Sequence, residues 1–373
     1  MPAALALLAA LACALATAAS AADAGAGPAA GGFDGARAIE HLRALAGLGP
    51  RVAGTPGAAA ARDYVAGELA SLGYDVEEET TTILLDDGGE LAITNLRAVA
   101  WGSSEDVLVL GAPLDTPRLE SFDFVGANEG ASGAALLLEL ARVLRERPLP
   151  YTVWLVFFDG ESVGDQLLGS RAFARELRQS GDLERLRLAV YFHQVGDRDL
   201  AIARDVGSDR AMRRIFFDAA RRLGHEAAFP TDRPFAALRA GHLALPSVGF
   251  RRVVLVMDDR FGGDEPPGAY HRSAEDTPER CAPESLAVVG EVSLAALRDA
   301  AALFAEVDRR AGPRERVVAE ESPLPDAELS ADSAAAADPE GDPEPEPQAA
   351  GDAAGTPPQS EPVAAEAAEA AHP

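Results

Sequence analysis

The chain contains little cysteine and no apolar segment of the length that spans a membrane. Only 2 of its 373 residues are cysteine, Cys13 and Cys281. Cys13 lies in an apolar run at the start of the chain that is typical of an export signal, and cleavage would leave Cys281 alone. The sequence therefore predicts no intrachain disulfide, despite an oxidising destination. No run reaches the roughly 18 apolar residues of a transmembrane helix, so no membrane span is predicted.

Positive charge is also scarce. The 33 Lys and Arg residues are opposed by 60 Asp and Glu residues, and the net charge is -27. With no evident basic patch, this balance argues against nucleic acid as a partner. Residues 317–373 contain fourteen of the acids and no Lys or Arg. Their Ala, Pro, Glu, Asp and Gly composition buries too little apolar surface to offset the entropy lost on folding, so residues 313–373 are predicted to form a disordered tail.

The rest of the chain divides into a leader and one domain. Residues 1–21 are predicted to be a signal peptide because the apolar run ends in the small residues Ala19, Ser20 and Ala21. Residues 22–31 are a predicted linker, and residues 32–312 a predicted folded domain. A signal peptide implies export, to the periplasm or out of the cell.

Strand and helix patterns alternate through the predicted domain. Thr55 and Pro56 are a helix-start signal, and Gly73 ends that helix. Apolar strands alternating with helices predict a largely parallel sheet covered on both faces. The predicted strands are 76–85, 91–100, 107–112, 151–158, 188–192 and one within 246–256. The further predicted helices are 134–144, one near 169–178, 208–223 and 283–308.

Acids and histidines follow several of the predicted strands. In an open α/β sheet, ligands bind beyond the carboxyl ends of the strands, so these side chains are expected to converge. Glu161 is the most informative, because the continuous apolar strand 151–158 places it at the mouth of a cleft, where a general base is needed. The other members of the predicted cluster are Asp115, Glu129, His193 and His271.

Four segments resemble one enzyme family. Residues 49–76, 107–144, 153–175 and 270–280 are similar to the secreted zinc aminopeptidases, which are two-zinc exopeptidases, and to their relatives, the glutaminyl-peptide cyclases. The resemblance implies a single α/β domain with a mixed, mainly parallel central sheet flanked by helices. It also implies a hydrolase, a metallopeptidase acting on peptide or protein N-termini. The spacer after Asp115, with FVGA following, is closer to the cyclases.

Several zinc-ligand positions of that family are changed in this chain. The first His position falls on Pro113, and the ligand that follows the catalytic base falls on Ser162, so a normal two-zinc centre is not expected. The resemblance marks Glu161 as the base and Asp115 as the acid that orients the site, and both are retained. The other ligand positions of the family fall on Glu129, His193 and His271.

The remaining ligands predict one zinc ion at most. Glu129, His193 and His271 would supply one carboxylate and two imidazoles, with a fourth position left for water. Glu161 would then accept a proton from that water or from a substrate amine, if a poorly solvated cleft raises its pKa. The predicted function is an exported aminopeptidase-like enzyme with an altered or degenerate site. The alternatives are a glutaminyl-peptide cyclotransferase and a non-catalytic pseudoenzyme that uses the same fold for binding.

A different hypothesis comes from the same loop. Residues 160–164 read G-x-S-x-G after a strand and before a helix, as a serine nucleophile requires, and Asp197 or Asp232 with His271 would complete a triad. No oxyanion-loop motif accompanies it. The remaining histidines fit no ligand position and are predicted to be surface or capping residues: His41, His225, His242 and His372.

Overall fold

A six-stranded sheet forms the centre of the protein. The computed structural model describes residues 32–311 except 86, 87 and 165. The predicted signal peptide 1–21, the linker 22–31 and the acidic tail 313–373 lie outside the described residues, and export stays a prediction. The central strands are β1 Val76–Leu84, β2 Glu90–Ala100, β3 Ser104–Pro113, β4 Tyr151–Phe158, β5 Leu186–His193 and β8 Val253–Met257. A small separate sheet pairs β6 Arg204–Asp205 with β7 Phe235–Ala236.

Helices follow most of the strands. They are α1 Gly35–Gly47, α2 Pro56–Ser71, α3 Ser132–Glu146, α4 Leu168–Ser180, α5 Arg210–Leu223, α6 Ala244–Ser247 and α7 Pro283–Ala311. Four shorter helical turns are Ala127–Ala131, Asp182–Glu184, Gly241–Leu243 and Pro278–Arg280. The turn Ala127–Ala131 is a π-helix that leads directly into α3.

The strand order is β1-β2-β4-β3-β5-β8. β1 pairs with β2 and β2 with β4 in antiparallel fashion, whereas the pairs β4 with β3, β3 with β5 and β5 with β8 are parallel. The predicted single α/β domain with a mixed, mainly parallel sheet flanked by helices is confirmed. The carboxyl ends of β3, β4, β5 and β8 lie at one edge, where a ligand site is expected.

The alternation of side chains along β4 explains why both faces of the sheet are covered. Val153, Leu155 and Phe157 pack into one apolar cluster, with α1, α3, α5 and α7. Trp154, Val156 and Phe158 point to the other face and pack with α4 and α6. Successive residues of a strand face opposite sides, so a strand that is apolar throughout is stable only between two helical layers.

The structure differs from the predicted elements in two places. The helix α1 was not predicted, although Asp34 caps it by accepting hydrogen bonds from the N–H groups of Ala36 and Arg37. The strand expected within 246–256 begins only at Val253, and residues 244–247 form α6 instead. Among the described residues, no helix is both long and apolar enough to cross a membrane. Cys281 is buried and unpaired.

Candidate functional site

A cleft of about 270 Å³ opens at the carboxyl ends of β4, β5 and β8. Four of the five predicted site residues line it: Glu129, Glu161, His193 and His271. These residues are far apart in sequence, and the parallel strands bring their loops to one edge. Ser162, Tyr191, Gln194 and Arg272 also line the cleft.

The fifth predicted residue, Asp115, lies beneath the cleft. It follows β3, is 2% exposed, and accepts hydrogen bonds from the backbone N–H groups of Glu161 at 3.0 Å and Ser162 at 2.9 Å. Burial, with the charge of nearby Asp159, raises the pKa of Asp115 to about 8. Asp115 therefore holds the loop after β4 in place and acts on a ligand only through that loop.

Glu161 is fully enclosed except where it meets the cleft. Its side chain is 5% exposed; Oε1 accepts a hydrogen bond from the N–H of Ser170 at 2.7 Å, and Oε2 accepts one from the hydroxyl of Tyr191 at 2.9 Å. Burial raises the pKa of Glu161, and these two donors oppose the rise. A raised pKa moves proton exchange by this carboxyl group in the direction that suits a general acid or base.

The π-helical turn before α3 fixes the position of Glu129. The turn begins after Gly126, whose φ of 50° is readily adopted only by glycine. Asp276 caps the turn, because its carboxylate accepts hydrogen bonds from the N–H groups of Asn128 at 2.6 Å and Glu129 at 3.1 Å. The buried guanidinium of Arg51 donates to the carbonyls of Val125 and Gly126 just before the turn.

Glu129 is paired with an arginine inside the cleft. Its side chain is 3% exposed, and Oε1 accepts a hydrogen bond from Nε of Arg272 at 3.0 Å. Nδ1 of His271 lies 3.9 Å from Oε2, too far for a hydrogen bond, and Oε2 is buried without a hydrogen-bond partner. Nε2 of Gln194 lies 3.3 Å from the same ring nitrogen of His271. A cation therefore already balances the charge of Glu129.

His193 is a neutral residue in this arrangement. Burial, together with the charges of His271 and Arg272, lowers the pKa of His193 to about 3. Its ring stacks on Tyr191 with centroids 6.4 Å apart, and its Nδ1 is buried without a hydrogen-bond partner. A buried ring nitrogen with no partner is uncommon and indicates a position where a ligand donates or accepts a hydrogen bond.

Backbone strain is concentrated around the cleft. Of the described residues other than glycine, three have positive φ: Leu167 at 56°, Gln194 at 50° and Arg272 at 48°. All three line the cleft. Left-handed conformations are costly for residues with a Cβ, and they occur mainly where the surrounding structure holds a side chain in a functional position.

The side chains in the cleft do not fit a zinc ion as they are arranged. Nowhere in residues 32–311, leaving aside 86, 87 and 165, do three His, Cys, Asp or Glu side chains lie close enough together to hold a metal. Glu129 is engaged by Arg272, and Ser162 donates its N–H to Asp115. The zinc site of Glu129, His193 and His271 stays a prediction, and this geometry weighs against it.

The positions of Asp197 and Asp232 test the serine triad. The carboxylate of Asp197 accepts hydrogen bonds from the N–H groups of Asp199 and Gly262, and Asp232 is exposed, so the geometry does not favour a serine triad with His271.

The prediction that His242 is a surface or capping residue is wrong. His242 is 3% exposed because the turn Gly241–Leu243 lies behind Tyr191. Its Nε2 lies 3.2 Å from Oδ2 of Asp205.

Comparisons with known proteins identify the family to which this fold belongs. The model of peptidase family M28 matches residues 95–297, more than half of the chain. A glutaminyl-peptide cyclotransferase of Drosophila melanogaster is 31% identical over 163 residues, which cover 41% of this chain and 46% of that protein. A probable zinc metalloprotease of Leptosphaeria maculans is 30% identical over 239 residues, covering 57% and 54% of the two chains. The chain thus spans about half the length of the curated relatives it matches.

The same fold occurs in a related protein of known structure. The crystal structure of a glutaminyl cyclase from an Acidobacteriales bacterium matches with a TM-score of 0.68 and 30% identity. The match covers 73% of this chain and 96% of that one.

Proposed function

The chain belongs to peptidase family M28, and we propose that its cleft binds the free amino terminus of a peptide. We further propose that the cleft promotes cyclisation of an N-terminal glutamine without a metal ion. The observation that carries the proposal is the environment of Glu161. This carboxyl group lies at the end of β4 in the cleft, is nearly excluded from solvent, and is oriented by Tyr191 and by the N–H of Ser170.

The other acids of the cleft suit an amine. Glu129 and Asp259 also line the cleft, and Oε2 of Glu129 is a buried acceptor without a hydrogen-bond partner. The N–H of a neutral α-amine supplies the donor that such an acceptor lacks. The apolar side chains of Leu238 and Met257 line the same cleft and offer a surface to the stem of the first residue.

Cyclisation demands less of this site than hydrolysis does. Hydrolysis of a peptide bond needs an activated water, which a metal ion usually provides. In cyclisation the α-amine of the substrate is the nucleophile, and it is already held near the side-chain amide. The amine nitrogen bonds to the amide carbon and passes its proton to the carboxylate of Glu161. Glu161 then returns the proton to the departing nitrogen, so that ammonia leaves and the ring closes.

A binding role without turnover is the second candidate. The observation in its favour is that Glu129, a family ligand position, is paired with Arg272. In that case the cleft would retain peptide N-termini without converting them.

Ammonia release from glutaminyl peptides tests the proposal. We expect release that persists in the presence of a metal chelator and falls by about 10²-fold to 10⁴-fold in Glu161→Gln, which cannot transfer the proton. Glu78→Gln is the matched control, because Glu78 is an exposed acid of β1. It should keep wild-type activity.

The other outcomes separate the alternatives. Hydrolysis of aminoacyl amides that a chelator abolishes would contradict the proposal and favour a metallopeptidase. Glutaminyl peptides that bind in calorimetry but release no ammonia would establish the binding role. Activity that is blocked by a fluorophosphonate and lost in Ser162→Ala would assign the chemistry to Ser162.

A further inference from the structure

We propose that the guanidinium of Arg272 is a permanent replacement for the metal ion: it neutralises Glu129 and thereby keeps zinc out of the cleft. The inference does not depend on which reaction the cleft performs. It concerns the charge balance of one buried carboxylate, and metal binding measures it directly.

The first argument is the ion pair itself. Nε of Arg272 lies 3.0 Å from Oε1 of Glu129, and Glu129 is 3% exposed. A carboxylate removed from water needs a counter-charge with good hydrogen-bond geometry, and a hydrogen-bonded guanidinium provides both. An arginine keeps its proton at every physiological pH, so this cation is always present.

The second argument is that the backbone directs Arg272 into the cleft. Arg272 has a φ of 48°, a conformation that a residue with a Cβ adopts only under constraint. It follows His271 directly, so the histidine and the cation enter the same cleft from one turn of chain. Strain of this kind is retained where the position of a side chain matters.

The third argument is electrostatic. A divalent ion bound by Glu129 would lie close to the positive charge of Arg272, and like charges repel each other. The side chain of Arg272 is 35% exposed, so water screens part of this repulsion. The acids and histidines of the cleft do not compensate, because among the described residues no three His, Cys, Asp or Glu side chains lie close enough together to hold a metal. Ser162, which also lines the cleft, adds no carboxylate. A zinc ion would have to displace the guanidinium without gaining a full ligand set.

Variants that exchange the cation for a ligand test the proposal. The central variant combines Ser162→Glu with Arg272→Gly, which adds a carboxylate and removes the guanidinium. Glycine suits the positive φ of position 272, so the change relieves strain. The matched control combines Ser162→Glu with Arg239→Gly, since Arg239 is an exposed arginine of the same cleft.

Zinc alone is the probe, and the readouts are elemental analysis after dialysis and titration calorimetry. We expect the wild type and the Arg239 control to retain little zinc, and the Ser162→Glu/Arg272→Gly protein to retain about one ion per chain. Its affinity should exceed that of Ser162→Glu alone by about tenfold or more, the scale on which neighbouring groups change metal affinity. Thermal unfolding of each protein confirms that it is folded.

Three results would overturn the inference. The first is stoichiometric zinc in the wild type after dialysis. The second is equally tight zinc binding by Ser162→Glu alone and by the combined variant, because Arg272 then excludes nothing. The third is a combined variant that unfolds cooperatively and binds no zinc. None of these readouts measures activity, so each is distinguishable from failure of the proposed cyclisation.

Discussion

The hydroxyl group of Tyr191 contributes, with burial and the N–H of Ser170, to how readily Glu161 takes up a proton. Tyr191 is 4% exposed and donates its hydrogen bond to Oε2 of Glu161 at 2.9 Å. This bond stabilises the ionised carboxylate and opposes the effect of burial, which raises the pKa of Glu161. The ring of Tyr191 stacks on Phe158, so its orientation is set by the core and not by the ligand.

Tyr191→Phe should therefore move the pH profile of the cleft. Loss of the donor raises the pKa of Glu161 further, so the pH at which Glu161 must be ionised shifts upward. We expect the acidic limb of the activity or peptide-binding profile to move up by about one pH unit, the equivalent of one hydrogen bond.

Tyr74→Phe is the matched control for that shift. Tyr74 is also buried, but its hydroxyl donates to the carbonyl of Ala141, on α3. It should change stability and leave the pH profile where it was. An unshifted profile in Tyr191→Phe would show that the hydroxyl does not control Glu161.

The site residues were predictable from the sequence only as chemical types at strand ends. Glu161 and His193 follow strands with a clear apolar pattern, which places them at the correct edge. The ion pair between Glu129 and Arg272 joins residues 143 positions apart, and no local pattern reports it. Tyr191 lies within the predicted strand 188–192, and nothing in the sequence distinguishes a buried tyrosine that donates to a site from one that does not.

At the scale of elements, α3 is packed more closely to the sheet than the other helices. Twelve of its fifteen residues are buried, among them Glu139, which is 0% exposed. Glu139 accepts hydrogen bonds from Arg142 and from the N–H of Asp34, which tie α3 to the start of α1. The first turn of α3 approaches β3 and β5 at Gly133, where an added Cβ would lie 2.5 Å from the carbonyl oxygen of Phe192.

Gly133→Ala should destabilise the protein and displace the π-helical turn that carries Glu129. The methyl group has no room, so the helix must move from the sheet, at a cost of about 1–3 kcal/mol. Denaturant unfolding measures the change. Gly67→Ala is the control: Gly67 is an exposed residue of α2 with nothing within 4 Å of an added Cβ.

Gly67→Ala should leave stability unchanged or raise it by up to about 1 kcal/mol, because alanine favours the helix. Equal effects of the two substitutions would contradict the close packing inferred at Gly133.

Most elements were predictable because they have uniform patterns, and the exceptions have identifiable causes. β4 and α7 begin where the apolar pattern begins, at Tyr151 and Pro283. The segment 246–256 contains Pro246 and Gly249, and Gly249 has a φ of 99°, so the strand begins only at Val253. α1 is missing from the predicted helices, although its buried Ile39, Leu42 and Leu45 have helical spacing.

At the scale of the whole molecule, net charge conceals how charges are distributed. The chain has a net charge of -27, yet Arg204, Arg210, Arg213, Arg214 and Arg221 line one surface groove. The guanidinium groups of Arg204 and Arg213 lie 3.9 Å and 4.7 Å from the ring centre of Phe235. Four of these five arginines belong to α5, and Arg204 lies just before it, but in the chain as a whole acids outnumber them.

The buried acids predict an unusual pH dependence of stability. Burial raises the pKa of Asp115 to about 8 and the pKa values of Asp258 and Asp276 to about 7. Because these values exceed those of the unfolded chain, their contribution to stability is fully present only below about pH 4, and it is lost progressively as the pH rises to about 7 to 8. His193, whose pKa is lowered, acts in the opposite sense, but only below about pH 6.5.

The free energy of unfolding should therefore fall by about 2 kcal/mol or more between pH 6.5 and 8.5, measured by denaturant titration at fixed ionic strength. Asp276→Asn should be less stable throughout, because it loses an acceptor of the π-helical turn, but its decline with pH should be shallower. A free energy that does not fall across this window would mean that these carboxyl groups are already ionised in the folded protein at pH 6.5.

β1 is one of the two edge strands of the central sheet, and its sequence affects whether copies of the protein associate edge to edge. An edge strand presents unpaired backbone groups to which a second chain can add, and this is a common route to aggregation. The edge here consists of Glu77, Glu78 and Glu79 followed by threonines, whereas the most apolar strand, β4, lies inside the sheet. Two β1 edges carry like charges, so strand addition between copies is disfavoured at this edge of the sheet.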